Sequence, residues 1–491
     1  MDAQFESGNL GLTILGLGTQ YPPFDLKPSS LEVLSKRFYP ESPAMSKVLS
    51  INRYTGIDQR SSIGTPDHPL VNQPDPPTIA ELSEIFMRDG VPLAVSAARK
   101  ALAEARVEPA QVTHMVSTTC TNSANPGYDH FVARELGLGP GTEKVLLHGV
   151  GCSGGLAALR TAAGLCLGHA MRRKPARVLV VALEISTTLV RSELESINAS
   201  QETRIGVALF SDCAGACLLS NSLPFPDDDP SGRPPAPLPL PGIYSLLGWQ
   251  HHTIPGTEHD LGFDVDPLGW KVVLSPRVPE LTQSVLLPAF TSLLASLLPP
   301  FSPSASSGRQ QPQQQQAAGP KPADFDWAMH PGGAAILSGA ERALGLTPAH
   351  MRASYDTYIQ HGNSSSATIF SVLDRLRHKD MDALAPPPRG SGSGGSGGGV
   401  AKEHVVGCAF GPGITVEMCM LRRNLRDGLV GGASARGGME TPPETESEGD
   451  PATDGADEMS EAGEGTAERP RGAQDDGEVF ISEELERVEL D

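Results

Sequence analysis

The sequence predicts an α/β fold, a duplicated α/β/α/β/α five-layer sandwich, on three observations. Short apolar strand-like runs alternate with Ala- and Leu-rich helical stretches across residues 12–421. The alternation comes as two series of similar size, each closing on strands. Between and beyond them lie stretches whose composition cannot pack a core.

In the first series, Leu12–Gly18 (LTILGLG) reads as a short strand and Pro92–Ala105 (PLAVSAARKALAEA) as a helix, alanine being the best helix former. His114–Cys120 reads as strand, Asp129–Leu136 as helix, Lys144–Gly149 as strand and Gly154–Ala170 as a long helix. Arg177–Leu183 (RVLVVAL) is an unbroken apolar run, the pattern of a strand buried on both faces. Ala214–Leu219 ends the series as a strand. The second series has Ser284–Leu298 as helix, Phe325–Met329 as strand, then helices at Ala334–Leu344 and Ser366–Arg377. Val405–Ala409 and Thr415–Leu421 follow as strands. The expected halves are residues 1–222 and 242–425, with a Pro-rich insertion at 223–241 between them.

Proline blocks both helix and sheet ladders, so SLPFPDDDPSGRPPAPLPLP is expected to stay outside the core. Residues 299–322, with QQPQQQQ, and 386–399, with GSGSGGSGGG, read as disordered insertions. So does the tail, 426–491, which lacks the apolar content to offset chain entropy. Within it VFISEELERVEL has the pattern of one short amphipathic helix, and Ser447 and Ser460 sit in acidic surroundings.

The formal charge of −20 is mostly in that tail, where 19 acidic and 4 basic residues follow from Arg436 onward. The body carries about −5, ordinary for a globular protein, and no basic stripe with interleaved aromatics points to nucleic acid. Seven cysteines are scattered, mostly in apolar runs, which argues against a disulfide framework. Cys213 and Cys217 lack a second pair, so no zinc site is expected. There is no signal-peptide pattern at MDAQFESGNLG and no long apolar span, so the expected compartment is cytoplasmic.

Three turns carry the candidate chemistry. In LLHGVGCSGGLAALRTAAG a strand runs into a glycine-flanked turn that holds Cys152 at a helix entry. There the free N–H groups and the helix dipole favour a thiolate. In DWAMHPGGAAIL a strand delivers His330 to a Pro-Gly-Gly turn before a helix, and in YIQHGNSSSATIFSVLDRLR Asn363 sits in a turn before another. Singly each also fits a structural role: a small buried thiol, a core histidine, a helix cap. All three at helix entries is much less expected by chance.

These residues resemble the Cys-His-Asn triad of the thiolase-fold condensing enzymes, and specifically the chalcone-synthase-like type III polyketide synthases. GCSGG around Cys152, HPGG at His330 and GNSSSA at Asn363 agree in order and spacing. ALFSDCAGA resembles the family's ALFGDGAAA and puts its gatekeeper phenylalanine at Phe210. AFGPGITVEM resembles its GFGPG loop, at Gly411, Pro412 and Gly413. The resemblance spans roughly residues 10–425, and ILGLGTQYPPF with RFYPESPAMSKVLSINRYTGID is most like the fungal branch, which accepts fatty acyl-CoA starters. His148-Gly149-Val150 before the nucleophile, Asn125 where plant members have Met, and SDC after Phe210 depart from the pattern and concern pocket shape.

The resemblance implies a thiolase-like fold and an iterative condensation of malonyl-CoA onto a medium- or long-chain acyl-CoA held on Cys152. Cyclisation to an alkylresorcylic acid, alkylresorcinol or alkylpyrone would follow. His330 would pair with Cys152 as imidazolium and thiolate, and with Asn363 would bind the oxyanion. Cys120, Ser186 and Ser365 would line the cavity, with Phe263 or Trp270 as a further wall, and Arg60 would meet the CoA phosphates. A homodimer is implied, and no cofactor or metal. A single-condensation ketoacyl synthase III-like enzyme shares the triad. A papain-like protease uses the same residue types but with a different flanking motif. A non-catalytic thiolase-fold scaffold, with the tail as its working part, is the alternative of another class.

Overall fold

The computed structural model describes residues 10–224, 242–266, 269–297, 319–387 and 399–424, all within one compact unit. Most of the Pro-rich insertion, residues 299–318, the Gly/Ser stretch over 388–398 and the tail, including its amphipathic segment and Ser447 and Ser460, lie outside the described residues.

The strands, in chain order, are β1 (Leu12–Gln20), β2 (Phe24–Leu26), β3 (Arg60–Ser62), β4 (His114–Thr118), β5 (Glu143–Leu147), β6 (Arg177–Glu184) and β7 (Cys213–Ser220). They continue as β8 (Tyr244–Thr253), β9 (Leu261–Asp266), β10 (Gly269–Leu274), β11 (Asp326–Met329), β12 (His404–Gly411) and β13 (Thr415–Arg423). Nine form one sheet in the order β11-β12-β13-β8-β1-β7-β6-β4-β5. Outward from the centre, β1-β7-β6-β4 pair antiparallel, antiparallel, parallel, and β8-β13-β12-β11 repeat that sequence. The two sets meet at β1 and β8, which pair over Leu12–Ile14 only. The duplication is therefore written in the pairing pattern, and β5 is extra on one side.

Alternation along the strands sorts side chains into layers. In β6, Val178, Val180 and Ala182 face one core, while Leu179, Val181 and Leu183 face another. In β13, Cys419 and Leu421 point to that first core, and Val416, Met418 and Met420 to a third. The shared core holds the helices Gly154–Met171 and Thr368–Leu376. One outer core holds the helix Val91–Ala105, which buries Ala94, Ala97, Ala98 and Ala101. The other holds the helices Val278–Leu297 and Ala334–Leu344. Helix, sheet, helix, sheet, helix: the five layers are present.

The predicted elements recur with ends shifted by a few residues, the helix at 284–298 extending back to Val278. Among the unpredicted elements are the helices Ser29–Phe38, Pro43–Tyr54, Val190–Ser200 and Arg352–His361, the hairpin β9–β10, and β8. Pro322–Asp324 forms a 3-10 turn whose Pro322 carbonyl accepts from Trp327 Nε1 at 3.0 Å.

Candidate active site

β5 leads through Gly149 (φ +74) and Gly151 (φ +48) into a 3-10 turn, Gly151–Ser153, on which Cys152 sits before the helix Gly154–Met171. Gly151 is required twice, by its positive φ and because a Cβ there would lie 2.4 Å from Pro412 Cδ. Gly411 meets the turn from the other side: its Cβ would fall 2.2 Å from Ser153 Oγ and 2.6 Å from the Val150 carbonyl oxygen. The Gly411, Pro412 and Gly413 segment is thus a wedge against the nucleophile turn, and Gly413 N donates to the Leu261 carbonyl at 2.8 Å.

His330 follows β11 directly, and its backbone N–H donates to the Cys408 carbonyl at 2.8 Å and continues the pairing with β12. The residue is 1% exposed, and among the described residues neither ring nitrogen has a hydrogen-bond partner. Asn363 follows the helix Arg352–His361 and precedes the 3-10 turn Ser365–Ala367. Its Nδ2 donates to the Gly332 carbonyl at 3.2 Å, and its Oδ1 accepts from Ser365 N at 2.8 Å. Ser365, itself at φ +47, donates from Oγ to Cys152 Sγ at 3.3 Å. Cys152, Ser365, Asn363 and the His330 turn therefore form one linked circuit. The duplication explains the layout. Cys152 and Asn363 each precede the inner helix of their half, and Cys120 and His330 each follow the matching parallel strand, β4 and β11.

Burial pushes the Cys152 thiol up to about 12, against a smaller lowering from the Ser365 hydroxyl, and pushes the His330 imidazole down to about 4. Desolvation disfavours the charged form of each group taken alone.

A residue the sequence reading missed stands behind the nucleophile. Glu184, the last residue of β6, is fully buried. It accepts from Cys120 N at 3.1 Å, Thr121 Oγ1 at 3.0 Å, Thr119 Oγ1 at 3.3 Å, Cys120 Sγ at 3.4 Å and Ser366 Oγ. Burial raises its pKa and these donors oppose the rise, while its charge in turn raises the Cys152 thiol. Cys120 Sγ also lies 3.4 Å from Ser365 Oγ, the hydroxyl that donates to Cys152 Sγ. The signal for Glu184 was a lone carboxylate ending an otherwise apolar strand, RVLVVALE.

Phe210 and Asn363 share an isolated parallel bridge, with Ser211 N donating to the Asn363 carbonyl at 2.9 Å and Asn363 N to the Leu209 carbonyl at 3.0 Å. Ser186 is held by its N–H on Asp212 Oδ1 at 2.7 Å. Phe263 and Trp270 stack on each other across β9–β10, with centroids 5.7 Å apart, against the core containing Ile185 and Leu189. Arg60 is a correction. It is 6% exposed, and its guanidinium donates to the carbonyls of Val207 and Phe210, so it is not displayed to phosphates at the surface. Among the described residues no group of three or more His, Cys, Asp or Glu is arranged to hold a metal, and no helix is long and apolar enough to cross a membrane.

The comparisons with known proteins agree with this geometry. The N-terminal domain profile of the chalcone and stilbene synthases matches residues 49–222, and the C-terminal domain profile matches residues 315–424. The type III polyketide synthase pspB of Penicillium soppii is 41% identical, over 84% of this chain and 96% of that one. The acylalkylpyrone synthase csyB of Aspergillus oryzae is 35% identical, over 84% and 94%. A solved type III pentaketide synthase from Neurospora crassa is 66% identical, covering 84% of this chain and all of its own, with a TM-score of 0.74. The chain belongs to the chalcone and stilbene synthase family. Within that family it is a type III polyketide synthase, a condensing acyltransferase of thiolase-like fold.

Proposed function

We propose that this synthase extends a medium- or long-chain fatty acyl-CoA with malonyl-CoA, several units per starter, and cyclises the chain to an alkylresorcylic acid, alkylresorcinol or alkylpyrone. The observation that carries the reading is the buried His330 ring, with no hydrogen-bond partner among the described residues, at the turn where Asn363 Nδ2 binds the Gly332 carbonyl and keeps a second N–H to spare. A buried polar ring left unpaired is costly, and a site that keeps one has a donor ready for a reacting oxygen.

In the first step Cys152 Sγ attacks the starter thioester, its proton passes to His330, and CoA leaves with a proton. Transfer within the Cys152–His330 couple creates two opposite charges together, which offsets the desolvation that each opposes alone. Malonyl-CoA then loses carbon dioxide, and the electron pair of the broken C–C bond becomes an enolate. His330 Nε2 and Asn363 Nδ2 donate to its oxygen, each worth about 3–4 kcal/mol in such sites. The enolate carbon attacks the acyl-Cys152 carbonyl, a C–C bond forms, and the C–S bond breaks. The lengthened chain returns to Cys152 by thioester exchange. Phe210, bridged to Asn363, would separate the CoA entrance from a cavity with the small residues Cys120, Ser186 and Ser365 on its wall. The several extensions and the pyrone product are supported by the relatives named a pentaketide synthase and an acylalkylpyrone synthase, and the CoA carrier by a csyB structure solved with CoA at 35% identity and a TM-score of 0.71.

A homodimer is part of the proposal. β5 is an edge strand, with Glu143, Lys144 and Val145 exposed, and an unpaired edge is a surface for a second copy. The test is mass spectrometry of products from malonyl-CoA and a panel of acyl-CoAs, with Cys152→Ala alongside. Pyrones or resorcylic products several acetate units longer than the starter, absent in the mutant, are expected. A single-condensation ketoacyl product would reassign the chain to one round of extension, and no product with no acyl adduct on Cys152 would sink the catalytic reading.

A further inference from the structure

We propose that Arg60 is a positioning residue for the condensation: it holds the Phe210–Asn363 bridge, and through it the gatekeeper ring and the oxyanion-binding amide, in register with Cys152. Arg60 opens β3, a strand buried at all three positions and paired with β2. One guanidinium nitrogen faces two carbonyls, donating to that of Val207 and, at 3.3 Å, to that of Phe210 itself. Those carbonyls close the short helix Gly206–Leu209, from whose end Phe210 projects.

The same side chain underlies Asn363. Its neighbour Gly362 has φ +74, and a Cβ there would lie 3.0 Å from Arg60 Cγ and 3.1 Å from the Leu209 carbonyl oxygen. The stem of Arg60 thus packs beneath the turn that carries Asn363, while its head anchors the segment that carries Phe210. Asp212 fastens the assembly from the far side. Its N–H donates to the Ser61 carbonyl at 2.8 Å, and its carboxylate accepts from Ile63 N at 2.9 Å, Ser186 N at 2.7 Å, and Thr187 N and Oγ1 at 2.8 and 2.6 Å. The carboxylate oxygens are taken by these groups, so the guanidinium donates to the backbone carbonyls. Burial lowers the Arg60 pKa to about 10, with the Asp212 charge opposing, which leaves it a cation at neutral pH. A planar guanidinium suits two carbonyls better than a point-like ammonium does. A surface phosphate contact would need none of this burial.

The readout rests on the polyketide-synthase reading, so the test separates the two. Arg60→Met and Arg60→Lys are assayed for malonyl decarboxylation and chain extension with CoA thioesters and with N-acetylcysteamine thioesters, which carry no phosphate. Starter loading on Cys152 is followed by mass spectrometry. The expected result for Arg60→Met is a fall in extension kcat of roughly 10- to 100-fold, since small misplacements at a reacting centre cost that much. The fall should be the same for both carriers, with starter KM and Cys152 loading unchanged, and partly restored in Arg60→Lys. A loss confined to CoA thioesters, or carried by KM, would overturn the proposal in favour of a phosphate contact, and an unchanged kcat would overturn it outright. If Arg60→Met does not fold, Arg60→Lys carries the test by a smaller fall of the same kind. If the wild type turns over no malonyl thioester, the functional reading fails, and hydrogen exchange still decides for Arg60. Ser211 and Asn363 amides should exchange faster in the variants than in the wild type, with β6 unaffected. Equal exchange at those two amides would overturn the proposal.

Discussion

At the scale of single residues, the nucleophile is governed by two neighbours of opposite sign. The Glu184 charge raises the Cys152 thiol pKa, and the Ser365 hydroxyl lowers it by hydrogen bonding to the sulfur. Glu184→Gln removes a negative charge and keeps an acceptor, so the thiolate becomes easier to form. The pH profile of Cys152 alkylation by iodoacetamide should move to lower pH in that variant. Ser365→Ala removes the donor and should move the profile to higher pH. Parallel shifts in the two variants would show that burial alone sets the thiol. The Ser365 contact is not visible from spacing along the chain, since Ser365 and Cys152 are 213 residues apart.

At the scale of elements, the site depends on how closely β12 approaches the nucleophile turn. The end of β12 lies against Ser153 and Val150 with no room for a methyl group at Gly411, and Ser153 Oγ is held between the Val150 carbonyl at 2.8 Å and Thr415 Oγ1 at 3.3 Å. Gly411→Ala must move backbone, so it should destabilise the protein by about 1–3 kcal/mol, as overpacked sites do. Chemical denaturation measures this, and a wild-type midpoint would show the turn to be compliant. The strands and helices read well from sequence where one periodicity ran unbroken, as in β6 and in the helix Gly154–Met171. They read poorly where the pattern was mixed. β8 begins apolar and ends in Gln-His-His-Thr, because it passes from the centre of the sheet to an exposed rim. The helix Pro43–Tyr54 carried legible ends, with Ser42 capping Met45 N at 3.2 Å, Pro43 at the first position and Gly56 (φ +74) just past the Thr55 cap, but its interior mixes apolar and polar residues.

At the scale of the whole molecule, the two halves face each other through one shared helical layer, and the triad is assembled from both. Glu104 on the helix Val91–Ala105 ties them further, accepting from Leu17 N at 2.9 Å and from Arg377 at the end of the helix Thr368–Leu376. Every described group of the site comes from residues 60–413, so removing the acidic segment 432–491 is expected to leave kcat and KM unchanged. Steady-state assays of the truncated chain check this. Loss of turnover on truncation would transfer a working role to the tail.

By itself the sequence determined the alternation of elements, the two series, and the three turns that hold Cys152, His330 and Asn363. Each of these is local: glycines permit a turn, a strand ends and a helix begins within a few residues. Only the tertiary structure decided the electrostatic state of those residues and their supports. Burial pushes the Cys152 thiol up and the His330 imidazole down, against the pull of the local turn toward a thiolate. It also turned Arg60 inward, onto the carbonyls of Val207 and Phe210. Desolvation and long-range packing depend on what the rest of the chain brings to a point, and no window of sequence contains that.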